Sequence, residues 1–439
     1  MERLRRSGRE LCTRAPLTVQ PQCVGGKTMP TTMDSSQLNT PIDAMYLLHK
    51  ALRAEADRVE EAVSALEMGG SFKPLQRAFE RWAMALGYHV ERADHSLLPW
   101  LPDTHRAQDQ EAGHRHVLEM LEDLQTYLHE DLGRMIVIAR TQRQVRGKVI
   151  ALRLVQDDLL EAAEEGVLPV LRQRLSAPQQ LELIRRLLVD AEAEEPGDLL
   201  DWVAQECTTT EQQWLADLCT GQTSRPRWSS RRCGSASSLR TKPMAEDSIT
   251  LASPIDVMYP IHKALRAEAA RAEEVVRALA LGGSVQPFAQ AFQRWATALE
   301  YHAVMEDTWM TAPLDRPSAR TNEAEHTHLT ALLAALQTAL REAGESAPVT
   351  ARMRRQVLGK VVELRVAQDD HLEEEEARVL PVIRQQISAA QQLDMAQRLL
   401  LDRGAQETHW ILAWLTPHVT ATEHQWLAAL VGCAASVPA

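Results

Sequence analysis

Aromatic residues make up only 4 % of this 439-residue chain, which also lacks long apolar runs and any excess of positive charge. The scarcity of aromatics, set against abundant Leu, Ala, Glu, Gln and Arg, favours helices over strands. A formal net charge of -12 argues against general nucleic-acid binding, because neutralising phosphates needs a basic face. No apolar run approaches the roughly 18 residues of a membrane-spanning helix, so no membrane segment is expected. The six cysteines, Cys12, Cys23, Cys207, Cys219, Cys233 and Cys433, form no C-x-x-C pair. A zinc finger or disulfide framework is therefore not expected, and the chain reads as cytoplasmic. Residues 1–38 are Arg-rich and unperiodic, and without an apolar stretch of about 7–15 residues they are no secretory signal. They read as a disordered or targeting tail, although Glu2 and Glu10 sit poorly in a transit peptide and Met29 or Met33 offers an alternative start.

What is present is one long pattern written twice. Thr40-Pro41-Ile42-Asp43…His49-Lys50-Ala51-Leu52-Arg53 returns as Ser253-Pro254-Ile255-Asp256…His262-Lys263-Ala264-Leu265-Arg266, and Trp202 and Trp214 return as Trp414 and Trp426. The offset is 213 residues at Pro41/Pro254 and 212 at Trp202/Trp414, so the spacing suggests a tandem duplication rather than a short repeat. Between the copies, 219–248 is rich in Arg, Ser, Gly and Pro and reads as a flexible linker.

Each copy opens with a helix start: Thr40 or Ser253 as N-cap, proline in the first turn, and Asp43 or Asp256 completing a capping box. Met258, Ile261, His262 and Leu265 then follow helical spacing, which puts His262 on the buried stripe. Gly282-Gly283, like Gly69-Gly70, is expected to stop this helix. Further helices are expected over about 285–310, 320–343 and 350–385, then two or three short ones over 389–431. Four such helices make a four-helix bundle.

The second copy carries His-x-x-x-Glu twice, His302…Glu306 and His371…Glu375, with His262 and His326 on the other two helices. Residues four apart share a helix face, so each pair points one way into the core. The following prolines, Pro313 and Pro381, read as stops a helical turn or two beyond. Burying four imidazoles and two carboxylates without a cation would cost several kcal/mol per charged group. The donor set suits Fe, Mn or Zn, and two shared glutamates suggest two ions with about two histidines each. His328 competes with His326, which is preferred because it continues the stripe Leu329, Leu333, Leu336, Leu340.

These segments resemble the hemerythrin HHE cation-binding domain. Tyr301-His302-Ala303-Val304-Met305-Glu306-Asp307 is similar to its second-helix motif, and Glu325-His326 to its third-helix E-H. His371-Leu372-Glu373-Glu374-Glu375-Glu376 through Leu380-Pro381 is similar to its fourth-helix motif, and His262 takes the first-helix position. The stretch Ser388…Gln391-Gln392-Leu393…Trp410…Trp414-Leu415 resembles the hemerythrin domains of plant BRUTUS-type iron-sensing E3 ligases. The resemblance implies an all-α fold of two tandem four-helix hemerythrin-like bundles, each followed by short C-terminal helices. It implies a degenerate bundle over 39–218 and a metal-binding bundle over 249–433. It further implies that His262, His302, Glu306, His326, His371 and Glu375 hold two iron ions, oxo- and carboxylate-bridged.

Two departures limit what carries over. The oxygen carriers have H-x-x-x-H on the third helix and H-x-x-x-x-D on the fourth, where this chain has Thr330 and a glutamate at +4. No RING-type Cys/His cluster is present, so ligase activity does not carry over. In the first copy His49, His89 and His114 persist, but Glu306, His371 and Glu375 correspond to Ala93, Leu159 and Ala163. Asp94, His95 or Glu164 could rescue a mononuclear site, but each lies a helical step off, so that copy reads as a structural bundle or one that binds a protein partner. The function expected of the whole is binding or sensing of iron, with O2 or NO as candidate small ligands. The rivals are a di-iron oxidoreductase or iron-donating repair factor, and a helical scaffold without metal.

Overall fold

Helix-forming composition and apolar stripes at helical spacing produce an all-α chain. The computed structural model describes residues 38–101, 104–133, 135–188, 198–219, 251–310, 316–343 and 348–432, and among these the strand-like pairing is an isolated bridge, Ser71–Ile136. The tail expected over 1–38, save Leu38, the linker expected over 219–248, save Cys219, and Pro313 lie outside the described residues. Two compact units emerge, within 28–242 and within 243–439, each around its own apolar core.

In the first unit α1 (Ala44–Ser64), α2 (Lys73–Ser96), α3 (Thr104–Thr126) and α4 (Ala139–Ala162) pack in a closed ring, α1 on α2 and α4, α3 on α2 and α4. Short helices α5 (Leu168–Arg174), α6 (Ala177–Leu188), α7 (Asp198–Gln205) and α8 (Thr209–Cys219) follow. The second unit has the same order: α9 (Met258–Ala278), α10 (Gln286–Trp309), α11 (Arg316–Ala343) and α12 (Ala351–Glu374) form the ring. Then come α13 (Leu380–Gln386), α14 (Ala389–Leu400), α15 (Trp410–Leu415) and α16 (Ala421–Leu430).

The entry to α9 shows how local chemistry sets the ring. Pro254 begins a 3-10 turn, the backbone N–H groups of Ala252 and Ser253 each donate to Asp256 Oδ2 at 2.8 Å, and Arg384 on α13 grips Oδ1. Met258, Ile261, His262 and Leu265 then face inward, all buried. Across the ring Trp295 Nε1 donates to Gln368 Oε1 at 2.6 Å, tying α10 to α12, and Trp82 does the same to Gln156 at 2.7 Å in the first unit. A buried donor and acceptor that satisfy each other fix the axial register of their helices.

Two expectations about helix ends are corrected. The glycine pairs do not stop α1 and α9, which end at Ser64 and Ala278. Gly69 and Gly282 instead turn the chain at φ of 78° and 76°, where a side chain would be strained, and their N–H groups bond to Val137 and Val349 ahead of the fourth helix. Pro381 is not a stop either. The fourth helix passes through a π-turn at Glu375–Val379, where the Leu380 N–H reaches back to Glu375 O, and continues as α13 to Gln386. Shifting the ladder by one residue just before the proline absorbs its missing N–H and the ring's clash with the preceding turn. The first unit repeats this device at Ala163–Val167, before Pro169.

Candidate metal centre

The four ring helices bring the six side chains together at one depth. His262 comes from α9, His302 and Glu306 from α10, His326 from α11, His371 from the end of α12, and Glu375 opens the π-turn. None is more than 2 % exposed. Donor atoms of His262, His302, Glu306 and Glu375 lie within 4.8 Å of one another, as do those of Glu306, His326 and His371. Glu306 belongs to both groups. Its Oε2 is 2.9 Å from His326 Nε2 and 3.8 Å from His371 Nε2, while Glu375 Oε2 is 3.2 Å from His262 Nε2 and 3.8 Å from His302 Nε2. His328 points outward and is exposed, so His326 is the residue placed in the cluster.

Behind three of the imidazoles stand carboxylates to which the motif reading gave no role. His262 Nδ1 bonds Glu376 at 2.8 Å, and Arg266 holds the same oxygen at 2.8 Å. His326 Nδ1 bonds Asp307 at 2.7 Å, and His371 Nδ1 bonds Glu325 at 2.8 Å. A carboxylate on Nδ1 makes that nitrogen the donor and leaves the Nε2 lone pair aimed inward, the tautomer a metal ligand needs. Each of these acids adjoins a cluster residue in sequence, Asp307 after Glu306, Glu376 after Glu375 and Glu325 before His326, which is the signal that could have found them. Consecutive Glu375 and Glu376 reach opposite nitrogens of one ring. They do so at the start of the π-turn, where the backbone departs from regular α-helical winding.

The electrostatics call for a cation. Both oxygens of Glu306 and of Glu375 and both ring nitrogens of His302 lack a well-directed hydrogen bond, although imidazole nitrogens surround the carboxylates. Burial would lower His262 and His371, but the facing carboxylates outweigh it and raise them to about 9 and about 10. Burial and the adjacent Glu306 charge push Glu375 up; burial would raise Glu306 too, but Glu375, His326 and His371 together hold it down. His302, desolvated and lacking a close partner, stays well below the usual histidine range. Protons on His262 and His371 thus balance the charge that divalent ions would balance better. Four imidazoles and two carboxylates, without thiolate, fit iron, manganese or zinc.

Residues 253–383 match the family model of the hemerythrin HHE cation binding domain. The HHE match runs from the N-cap Ser253 into α13 and contains all six clustered side chains. It covers the ring of the second unit and not the first. No curated protein and no solved structure matches the chain, and the family match ends before α14, so the expected likeness of the C-terminal helices to BRUTUS-type ligases is not supported. Among the described residues no helix is long and apolar enough to cross a membrane.

The corresponding place in the first unit is built differently. His49, His89 and His114 are buried; His49 bonds Glu164, whose same oxygen Arg53 holds, as His262 bonds Glu376 held by Arg266, and His114 bonds Asp94. Ala93 and Leu159 are apolar and buried where the HHE segment has Glu306 and His371. Gly113 stands where the second unit has Glu325, and a Cβ there would lie 3.0 Å from the Leu159 methyl. The His371–Glu325 pair is thus replaced as a pair, leucine over glycine.

Proposed function

We propose that the second unit holds a di-iron centre that binds or senses iron, with an open coordination position for O2 or NO. His262 and His302 would serve one ion and His326 and His371 the other, with Glu306 and Glu375 shared between them. The observation that carries this reading is the sharing of Glu306 by two buried groups whose carboxylate oxygens lack well-directed donors. Two ions supply the positive charge that four neutral imidazoles do not. Two histidines and two shared carboxylates leave each ion short of a full iron coordination sphere, and that vacancy suits a small exogenous ligand. Bound iron would contribute redox chemistry and affinity for such ligands. The protein's own residues orient the imidazoles through Glu376, Asp307 and Glu325 and keep bulk water out of the core.

The test is iron content together with the visible spectrum of the full chain before and after O2 or NO. About two iron ions per chain, with charge-transfer absorption that responds to either gas, is the expected result. One ion or none, or a spectrum indifferent to both gases, would overturn the reading.

A further inference from the structure

The residues left in the core of the first unit are not those of an inert bundle. His49, His89, His114 and Gln110 line one small cavity together with Ala93 and Ala163. We propose that this cavity binds a single divalent transition-metal ion through His49 and His89, with His114 and the Gln110 amide completing its surroundings.

The argument starts from unsatisfied atoms. His49 Nδ1 bonds Glu164 at 2.8 Å, so it is the donor, and the buried Nε2 carries a lone pair without a partner. His89 is 4 % exposed and lines the same cavity. His114 gives its Nδ1 to Asp94, which leaves its Nε2 as the acceptor. A buried acceptor without a donor costs about 1–3 kcal/mol. An apolar core avoids that cost, as it does at Ala93 and Leu159. Imidazoles around a shared cavity make physical sense when something there accepts lone pairs.

The geometry is also already that of a ligand pair. The His49 and His89 rings are 5.2 Å apart at 79°, and His262 and His302 are 5.2 Å apart at 84°. Replacing Glu306 and Glu375 by Ala93 and Ala163 has left this pair undisturbed. Burial keeps both His49 and His89 below the usual histidine range, so neither needs to lose a proton to coordinate. Nitrogen donors without a coordinating carboxylate disfavour Mg2+ and Ca2+ and suit Zn2+, Co2+, Ni2+ or Cu2+. Glu164 and Asp94, one hydrogen bond behind the rings, supply compensating charge.

The test uses the full chain with the second unit disabled by His262→Leu, Glu306→Ala, His371→Leu and Glu375→Ala, dialysed against Co2+ or Zn2+. About one ion per chain is expected, with Co2+ giving the visible bands of nitrogen coordination. Adding His49→Leu should remove that ion while far-ultraviolet circular dichroism stays helical. Glu164→Gln keeps every proposed ligand and should weaken binding at least about tenfold, as loss of an orienting carboxylate does. No bound ion in the four-substitution chain, an ion that His49→Leu leaves in place, or full affinity in Glu164→Gln would overturn the proposal.

Discussion

Glu306 and Glu375 carry the charge on which the second unit's site depends, and their removal gives the most direct prediction. Glu306→Ala or Glu375→Ala should lower iron from about two ions per chain to one or none, read by metal analysis. Glu374→Ala should keep both, because Glu374 pairs with Arg378 at 2.6 Å on the outer side of the helix. The raised histidines give a second. His262 is raised to about 9 and His371 to about 10 without metal, so iron binding near pH 7 should release protons. Titration in buffers of different ionisation enthalpy measures this, and zero release would remove these imidazoles from the ligand set. Linkage has opposite signs for the raised histidines and for Glu164. The stabilisation from His262 and His371 in the metal-free chain is full below about 6.5 and is lost as pH rises through 9 and 10. For Glu164, burial pulls upward but His49 and Arg53 bring it to about 2, so its contribution is present above about 4.5 and is lost as pH falls toward 2. That these six residues would face the core was legible in the sequence, because helical spacing puts each on a buried stripe, and the hemerythrin resemblance grouped them as one set. Asp307, Glu325 and Glu376 had no assigned role, since an acid beside a ligand reads as solvated surface until the fold shows an imidazole behind it.

The π-turn at Glu375–Val379 left almost no mark in the sequence. A one-residue shift of the hydrogen-bond ladder changes no composition and barely disturbs the apolar period, and its one trace, Pro381, reads as a stop. The glycine pair misled for a related reason: positive φ is required a few residues past the helix end, where the chain turns to meet Val349, and not at the cap itself. Helix extents were legible, and the capped start at Ser253 and the buried stripe of α9 followed from spacing. The cross-ring tie was not, because Trp295 and Gln368 are 73 residues apart. Trp295→Phe should cost about 1–3 kcal/mol, since Gln368 Oε1 is left buried without a donor. Denaturant unfolding followed by helical signal would measure it, and a cost near zero would show that the hydrogen bond does not set the register of α10 against α12.

Two separate cores predict two unfolding events. Iron at 100 times its dissociation constant should stabilise the second unit by about 2.7 kcal/mol, seen as an upward shift of one calorimetric transition. Trp82→Phe, which breaks the corresponding tie in the first unit, should lower the other transition and so assign both. A single transition that responds to both perturbations would mean that the units unfold as one. At this scale the recurrence of capped starts, paired tryptophans and histidine spacing led the sequence to be read as two bundles, and the helices of the two units follow the same order.

The leucine–glycine replacement in the first unit constrains the order in which that unit could be rebuilt. With His49, His89 and His114 in place, each backed or seated as its counterpart is, Ala93→Glu, Leu159→His, Ala163→Glu and Gly113→Glu would write the second unit's pattern into it. The order matters at one contact. A Cβ at Gly113 would sit 3.0 Å from the Leu159 methyl, so Gly113→Glu made first requires that leucine to give way, whereas Leu159→His made first creates the imidazole the new glutamate would orient. The less crowded path between the two kinds of core, by design or by drift, therefore changes Leu159 before Gly113.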